Sequence, residues 1–261
     1  PIADGGDWGI AVNLIQKYGL VPKPAYPESH TSSHTSELMD RMTLMLSSFG
    51  YQIRTTLQDG GSVEEAREIK QLCVRNAHRI LCIHLGTPPG SFVWQYRNGD
   101  DDDFVERIST PLDFARDYVT VPFGSYVQLS QDPRHNYYKR YTVKNSLPIC
   151  GGNPLVFVNV PAQEMKAMCV KMLKDGLPVW FACNVDEECD NDHGLWDAEL
   201  YGCNELYGVR VPKLNKEERI RCGYPMGDHV MLLTGVDLAE DGTAKRWRVE
   251  NSYGDYGDNG Y

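Results

Sequence analysis

Two residues near the C-terminal end of the sequence have the types and spacing to do acid–base chemistry together. His229 lies in Gly227-Asp228-His229-Val230-Met231-Leu232-Leu233-Thr234-Gly235-Val236-Asp237, and Asn251 in Arg246-Trp247-Arg248-Val249-Glu250-Asn251-Ser252-Tyr253-Gly254. Both stretches are rich in β-branched, aliphatic and aromatic residues, and Asp241-Gly242 between them is a turn signal, so a β-hairpin is predicted. With the turn centred on Glu240, His229 lies eleven positions before it and Asn251 eleven after, side by side across an antiparallel ladder. An amide oxygen beside an imidazole accepts the ring N–H, fixes tautomer and orientation, and leaves the other nitrogen for proton transfer. This is the base-and-orienter half of a nucleophile–base–orienter triad. Taken alone, a histidine on an apolar strand is more often a satisfied core residue.

The elements that must position this pair read as a mixture of helices and strands. Trp8, Ala11, Val12, Ile15 and Tyr18 share a helical face after the Gly5-Gly6 turn, with Gly19 as the stop. Helices are also expected over Glu37–Phe49, from the capping signature Ser62-Val63-Glu64-Glu65 to Gly86, from Thr110-Pro111-Leu112-Asp113 onward, and over Pro161–Lys174 with Met165, Met168, Cys169, Met172 and Leu173 facing inward. Phe92–Arg97 reads as a strand followed by an acidic turn around Asn98–Asp103, and Pro178–Val185 as a buried strand.

Composition bounds the function classes. At 261 residues, 41% hydrophobic and 24% charged, the chain is ordinary globular protein of one large or two small domains. Its net charge of −10 disfavours nucleic acid as a main partner, and no apolar run is long enough for a membrane helix. The eight cysteines are irregularly spaced and form no C-x-x-C pair, so reduced thiols are expected rather than a disulfide framework or zinc ribbon. Cys183, Cys189, His193 and Cys203 come nearest to a metal-ligand cluster, at a spacing that suits none. No cofactor is called for.

Asp-His-Val-x-x-x-x-Gly-Val followed by Trp-x-Val-x-Asn-Ser-Tyr-Gly-x-x-x-Gly-x-x-Gly-Tyr resembles the papain-like cysteine peptidases. The resemblance implies that His229 is the catalytic proton-transfer residue and Asn251 its orienter. Tyr253 stands where the family usually has tryptophan, and is expected to shield the His–Asn bond. The Gly5-Gly6 turn resembles the family's substrate cleft, where a Cβ would obstruct an approaching peptide backbone. Gly5, Gly6, Gly227 and Asp228 are thus the expected substrate-binding residues. Ala3 replaces a disulfide cysteine common in secreted members, which favours an intracellular branch.

Pro-Pro-Gly, the aromatic strand, Thr-Pro-Leu-Asp-Phe, Asp-Gly-Leu-Pro-Val-Trp-Phe and Leu-Asn-Lys-Glu-Glu-Arg narrow the resemblance to the bleomycin hydrolase branch, called aminopeptidase C in bacteria. It covers essentially the whole chain. The expectation is an α+β, papain-like fold with large helical insertions: residues 1–30 as part of the core, 31–155 as a largely helical insertion, and 156–261 as a β-rich core carrying the His and Asn. The implied activity is cysteine aminopeptidase action on peptides, in a cytoplasmic homohexamer. The alternatives are a papain-like endopeptidase and an inactive homologue kept for binding or assembly.

None of the eight cysteines has the Gly/Ser-x-Cys-Trp setting of the family nucleophile. Cys82 has roughly the usual separation from His229 but sits in an apolar run. Because the family's nucleophile precedes the Gly-Gly turn, it is expected upstream of Pro1, in a longer protein of which this sequence is a piece that is inactive alone.

Overall fold

The structure, a computed structural model, describes residues 5–97, 99, 104–144, 149–185, 189–197, 199–224, 227, 229–252 and 254. The chain divides into two compact units, Pro1–Gly6 with Ile10–Gly124, and Asp7–Gly9 with Ser125–Tyr261.

The first unit is built on helices. Helix α1 (Trp8–Tyr18), whose first two residues count with the second unit, ends at Gly19, whose N–H donates to the Ile15 carbonyl at 2.8 Å. Gly19 adopts φ +80°, and a Cβ there would lie 2.1 Å from the Pro111 carbonyl carbon and oxygen. Gly19→Ala therefore adds left-handed strain to a backbone clash and is expected to lower stability by about 2–3 kcal/mol, read from the urea unfolding midpoint at unchanged m-value. Of the expected inward face of α1, Trp8, Ala11, Val12 and Ile15 are half-buried, and only Tyr18 departs from it. Asn13 is its buried residue and Tyr18 is exposed, because the helix ends there and its last turn is left uncovered.

Helices α2 (Ser36–Gln58) and α3 (Val63–Leu85) form an antiparallel hairpin. Leu38 and Met42 are buried on α2, and Ala66 and Cys73 on α3. The capping box at Ser62 is present: its N–H donates to Glu65 Oε2 at 2.7 Å, and Glu65 N–H donates to Ser62 Oγ at 3.1 Å. Strands β1 (Phe92–Arg97) and β2 (Phe104–Ser109) pair antiparallel, and helix α4 (Pro111–Tyr118) follows with Thr110 as N-cap. Phe92 and Trp94 stack edge-on against Phe114. Of the acidic turn expected between the strands, only Gly99 is among the described residues.

The second unit carries the chemistry. Strands β3 (Gln128–Ser130), β4 (Arg140–Thr142) and β5 (Val156–Asn159) form a sheet in the order β3-β5-β4, with β3 parallel and β4 antiparallel to β5. Helix α5 (Ala162–Lys174) begins directly after β5. Its inward side is only half-buried, and Met168, expected inside, is exposed. Strand β6 (Val179–Cys183) follows, also half-buried, then the short pair β7 (Cys189–Asp190) and β8 (Leu195–Trp196), and the short helices α6 (Cys203–Tyr207) and α7 (Lys216–Arg221). Strands β9 (His229–Leu238) and β10 (Ala244–Glu250) are the last strands among the described residues, and the antiparallel sheet runs β10-β9-β6. Helix α5 packs against β9 and β6. Trp180 of β6 meets Trp8 edge-on at 5.2 Å between ring centroids.

Asn159, at the end of β5, is 1% exposed and organises the loop after β3. Its Oδ1 accepts from Asp132 N–H at 2.8 Å, and its Nδ2 donates to the carbonyls of Asp132 and His135 at 2.9 and 3.1 Å. Its own carbonyl accepts from Tyr138 N–H at 2.7 Å, which helps to hold Tyr138 at φ 62°, a left-handed conformation unusual for an aromatic residue. The Arg134 guanidinium grips the Asp132 carboxylate at 2.7 Å and holds its pKa below the ordinary value.

Candidate active site

His229 is the first residue of β9, the central strand of its sheet, with β10 on one side and β6 on the other. The β9–β10 hairpin forms as expected, but its register differs from the expected one. The turn spans Ala239–Thr243: Ala239 N–H donates to the Thr243 carbonyl at 2.8 Å, the Asp241 carboxylate takes Thr243 N–H and Oγ1–H, and Gly242 supplies φ +81°. Its centre is thus Asp241, one residue beyond the expected Glu240. Two bulges follow, one between Ala244 and Arg246 and one between Arg248 and Val249, and they cancel. Glu250 pairs with Leu232, and one further step places Asn251 opposite Met231, two residues from His229. The two side chains therefore meet on the diagonal, where residues two apart share a face.

They do meet: His229 Nε2 lies 2.7 Å from Asn251 Oδ1. The same oxygen accepts the Ser252 backbone N–H at 2.8 Å. A backbone N–H can only donate, so it fixes which end of the Asn251 amide faces the ring. With the oxygen turned to the imidazole, Nε2 must carry the hydrogen and the neutral ring keeps its basic lone pair on Nδ1. The spacing of the two motifs foretold the partnership, whereas the Ser252 N–H that fixes the amide was not foreseen. Its signal was only that serine follows the asparagine directly.

The pair is half-buried, and Met231 and Leu233 are buried at the level below it on β9. The Asn251 Nδ2 is buried without a hydrogen-bond partner among the described residues.

Other expected site residues are distributed as follows. Gly227 is exposed just before His229, and a Cβ there would be in ordinary contact, 3.5 Å from Ala182 Cβ. Asp228 and Tyr253 lie outside the described residues. Gly5 and Gly6 are exposed and belong to the first unit; a Cβ on either would meet nothing within 4 Å among the described residues, so their own packing does not require glycine. Cys82, the cysteine with the family-like separation, lies on α3 of the first unit, where its Sγ is 3.6 Å from His78 Nε2. Among the described residues no group of three or more His, Cys, Asp and Glu is arranged to hold a metal ion. His193 pairs with the Asp190 carboxylate at 2.8 Å, which raises the imidazole's pKa above its ordinary value. No helix among the described residues is long and apolar enough to cross a membrane.

Comparison with known proteins gives this geometry a context. The profile of the Peptidase C1-like family matches residues 1–261. Human bleomycin hydrolase is 36% identical over 100% of this chain and 59% of its own length. Aminopeptidase C of Lactobacillus delbrueckii subsp. lactis is 33% identical over 98% of this chain and 57% of its own. The crystal structure of PepW from Lactobacillus rhamnosis HN001 superposes with a TM-score of 0.93 at 34% identity, over 100% of this chain and 59% of that one. The chain thus spans about three-fifths of the length of these relatives. With an α+β fold, a family profile matched from end to end and full-chain similarity to bleomycin hydrolase and aminopeptidase C, the chain belongs to the Peptidase C1-like family.

Proposed function

We propose that the complete protein is a cysteine aminopeptidase in which His229 carries the proton and Asn251 orients it. The observation that carries this reading is the 2.7 Å contact between His229 Nε2 and Asn251 Oδ1, with the amide turned by the Ser252 N–H so that Nδ1 is the basic nitrogen. A scaffold has no need of an imidazole held in one tautomer at the end of a strand.

The nucleophile in this reading is a cysteine thiolate N-terminal to the Gly5-Gly6 turn, where the family places it. The first cysteine of this chain is Cys73, well after that turn. The thiolate attacks a peptide carbonyl, the His229 imidazolium protonates the departing amine, and His229 then takes a proton from the water that hydrolyses the thioester. Exposed Gly227, with Asp228 and the Gly5-Gly6 backbone, would hold the peptide, and Tyr253 would cover the His–Asn bond. The names of the bacterial relatives favour action at a free amino terminus. The cytoplasmic homohexamer follows from the sequence resemblance alone.

The test is turnover of an aminoacyl coumarylamide by the complete protein, with and without an N-acetyl block. Cleavage of the free-amine substrate alone, abolished by iodoacetamide, is expected. Equal cleavage of the blocked substrate would replace the aminopeptidase with an endopeptidase, and absence of turnover on both would leave a binding or assembly protein.

A further inference from the structure

A pair of histidines in the first unit has no part in the peptidase reading. His30 and His34 flank the short 3-10 turn Thr31–Ser33. Their spacing of four positions puts two side chains on one face, and helical zinc sites use it for paired histidine ligands. The rings are stacked, 4.3 Å between centroids with planes 13° apart, so the two side chains lie together on one side of the turn. Both are exposed. His34 Nδ1 lies 3.0 Å from the His30 carbonyl oxygen. A carbonyl only accepts, so Nδ1 carries the hydrogen and Nε2 of the neutral ring keeps its lone pair. A ring N–H held on a backbone carbonyl is how proteins orient an imidazole whose other nitrogen binds a metal.

The turn beneath the pair is braced. Ser32 N–H donates to Ser29 Oγ at 3.1 Å, and the Ser32 hydroxyl donates to the Ser29 carbonyl at 2.7 Å. His34 N–H donates to the Thr31 carbonyl at 3.1 Å. Thr31 Oγ1 is hydrogen-bonded to His84 Nδ1 of α3 at 3.3 Å, and Tyr26 Oη donates to the Gly86 carbonyl just after that helix. The backbone from which both rings project is thus tied to the end of α3, and little ordering is left for a ligand to cause. Two imidazole nitrogens on one cation lie about 3 Å apart, given metal–nitrogen bonds of about 2.0–2.1 Å. Rings with centres 4.3 Å apart reach that by a small tilt, which exposed side chains make freely.

We propose that His30 and His34 form a two-histidine site for a borderline divalent transition cation such as Ni²⁺, Zn²⁺ or Cu²⁺, with water completing the shell. Imidazole nitrogen suits these cations, whereas Mg²⁺ and Ca²⁺ take oxygen ligands. The bound cation bridges the two ends of the turn that leads into α2 and stabilises the first unit. The site is independent of the peptidase reading.

The test is calorimetric titration of the complete protein with Ni²⁺ alone, in wild type, His30→Ala, His34→Ala and the double variant. Each single replacement is expected to weaken one Ni²⁺ site per chain at least about tenfold, because losing a ligand costs no less than losing an outer-shell partner. The double variant should lack that site. Other ligands, among them His193 and exposed Cys203 and Cys222, are common to all four proteins and cancel in the comparison. Saturating Ni²⁺ should also raise the unfolding midpoint of wild type by more than that of the double variant. In EDTA the midpoints of all four should agree, since both side chains are exposed. His30→Gln and His34→Gln keep the bulk of the side chain and should weaken the site in the same way. Ni²⁺ binding that is unchanged in the double variant overturns the inference, as does wild-type affinity retained by either single variant.

Discussion

Replacing His229 by Ala is expected to lower kcat of the complete protein by about 10³-fold, with KM changed by less than a few-fold. The imidazole acts twice in the proposed reaction, first as acid toward the leaving amine and then as base toward water, and positioned proton transfer contributes roughly 10²–10⁴ per role. It touches no part of the substrate except the atoms whose protons move. Its loss therefore falls on kcat, because a group used only in the transition state lowers kcat and kcat/KM together. The fold should survive: His229 is the first residue of β9 and only half-buried, so the truncation opens no enclosed cavity. The measurement is steady-state turnover of an aminoacyl coumarylamide, with the unfolding midpoint as the control.

The largest expected effect on stability is at Asn159, far from the hairpin in sequence. Asn159→Ala is expected to cost about 3–5 kcal/mol. The side chain is 1% exposed and bridges β5 to the loop after β3 through the Asp132 N–H and the carbonyls of Asp132 and His135. Alanine leaves these backbone groups without their partner in a place water reaches poorly, and each such group costs about 1–3 kcal/mol. The loop also carries Tyr138 at φ 62°, a conformation that persists only while its surroundings hold it. Chemical unfolding should show a lower midpoint. The damage should also reach activity, because β5 leads directly into α5, which packs against β9. Asn159→Asp keeps the acceptor but sets a buried carboxylate against the Asp132 and His135 carbonyls, so it should be at least as damaging as Ala.

What the sequence made legible was local. Capping at Ser62 and Thr110, the Gly19 stop and the β9–β10 hairpin each depend on a few neighbouring side chains whose chemistry can be read in a row. The His–Asn partnership was visible for the same reason, since two motifs flank one turn signal. Its register was not. The turn centre depends on how Ala239 and Thr243 close the loop around Asp241, and the two bulges are properties of the ladder rather than of any residue alone. Helix α2 ran on to Gln58, past the expected stop near Phe49, because Gly50 does not break a helix. The Ser48, Thr55 and Thr56 hydroxyls in this part donate back to carbonyls of the preceding turn. Asn159 gave no signal, because its partners lie more than twenty positions away and only the folded loop brings them together.

The proposed triad requires a thiolate that His229 serves and that lies N-terminal to the Gly5-Gly6 turn. The most direct measurement follows inactivation of the complete protein by iodoacetamide and identifies the cysteine whose alkylation tracks the loss of turnover one for one. The expected result is a cysteine preceding Gly5 in the chain, alkylated at least about tenfold more slowly in His229→Ala. If the loss of turnover tracks Cys82, Cys183 or any other of the eight cysteines of this sequence, or if turnover persists when every cysteine is alkylated, the proposed triad is wrong.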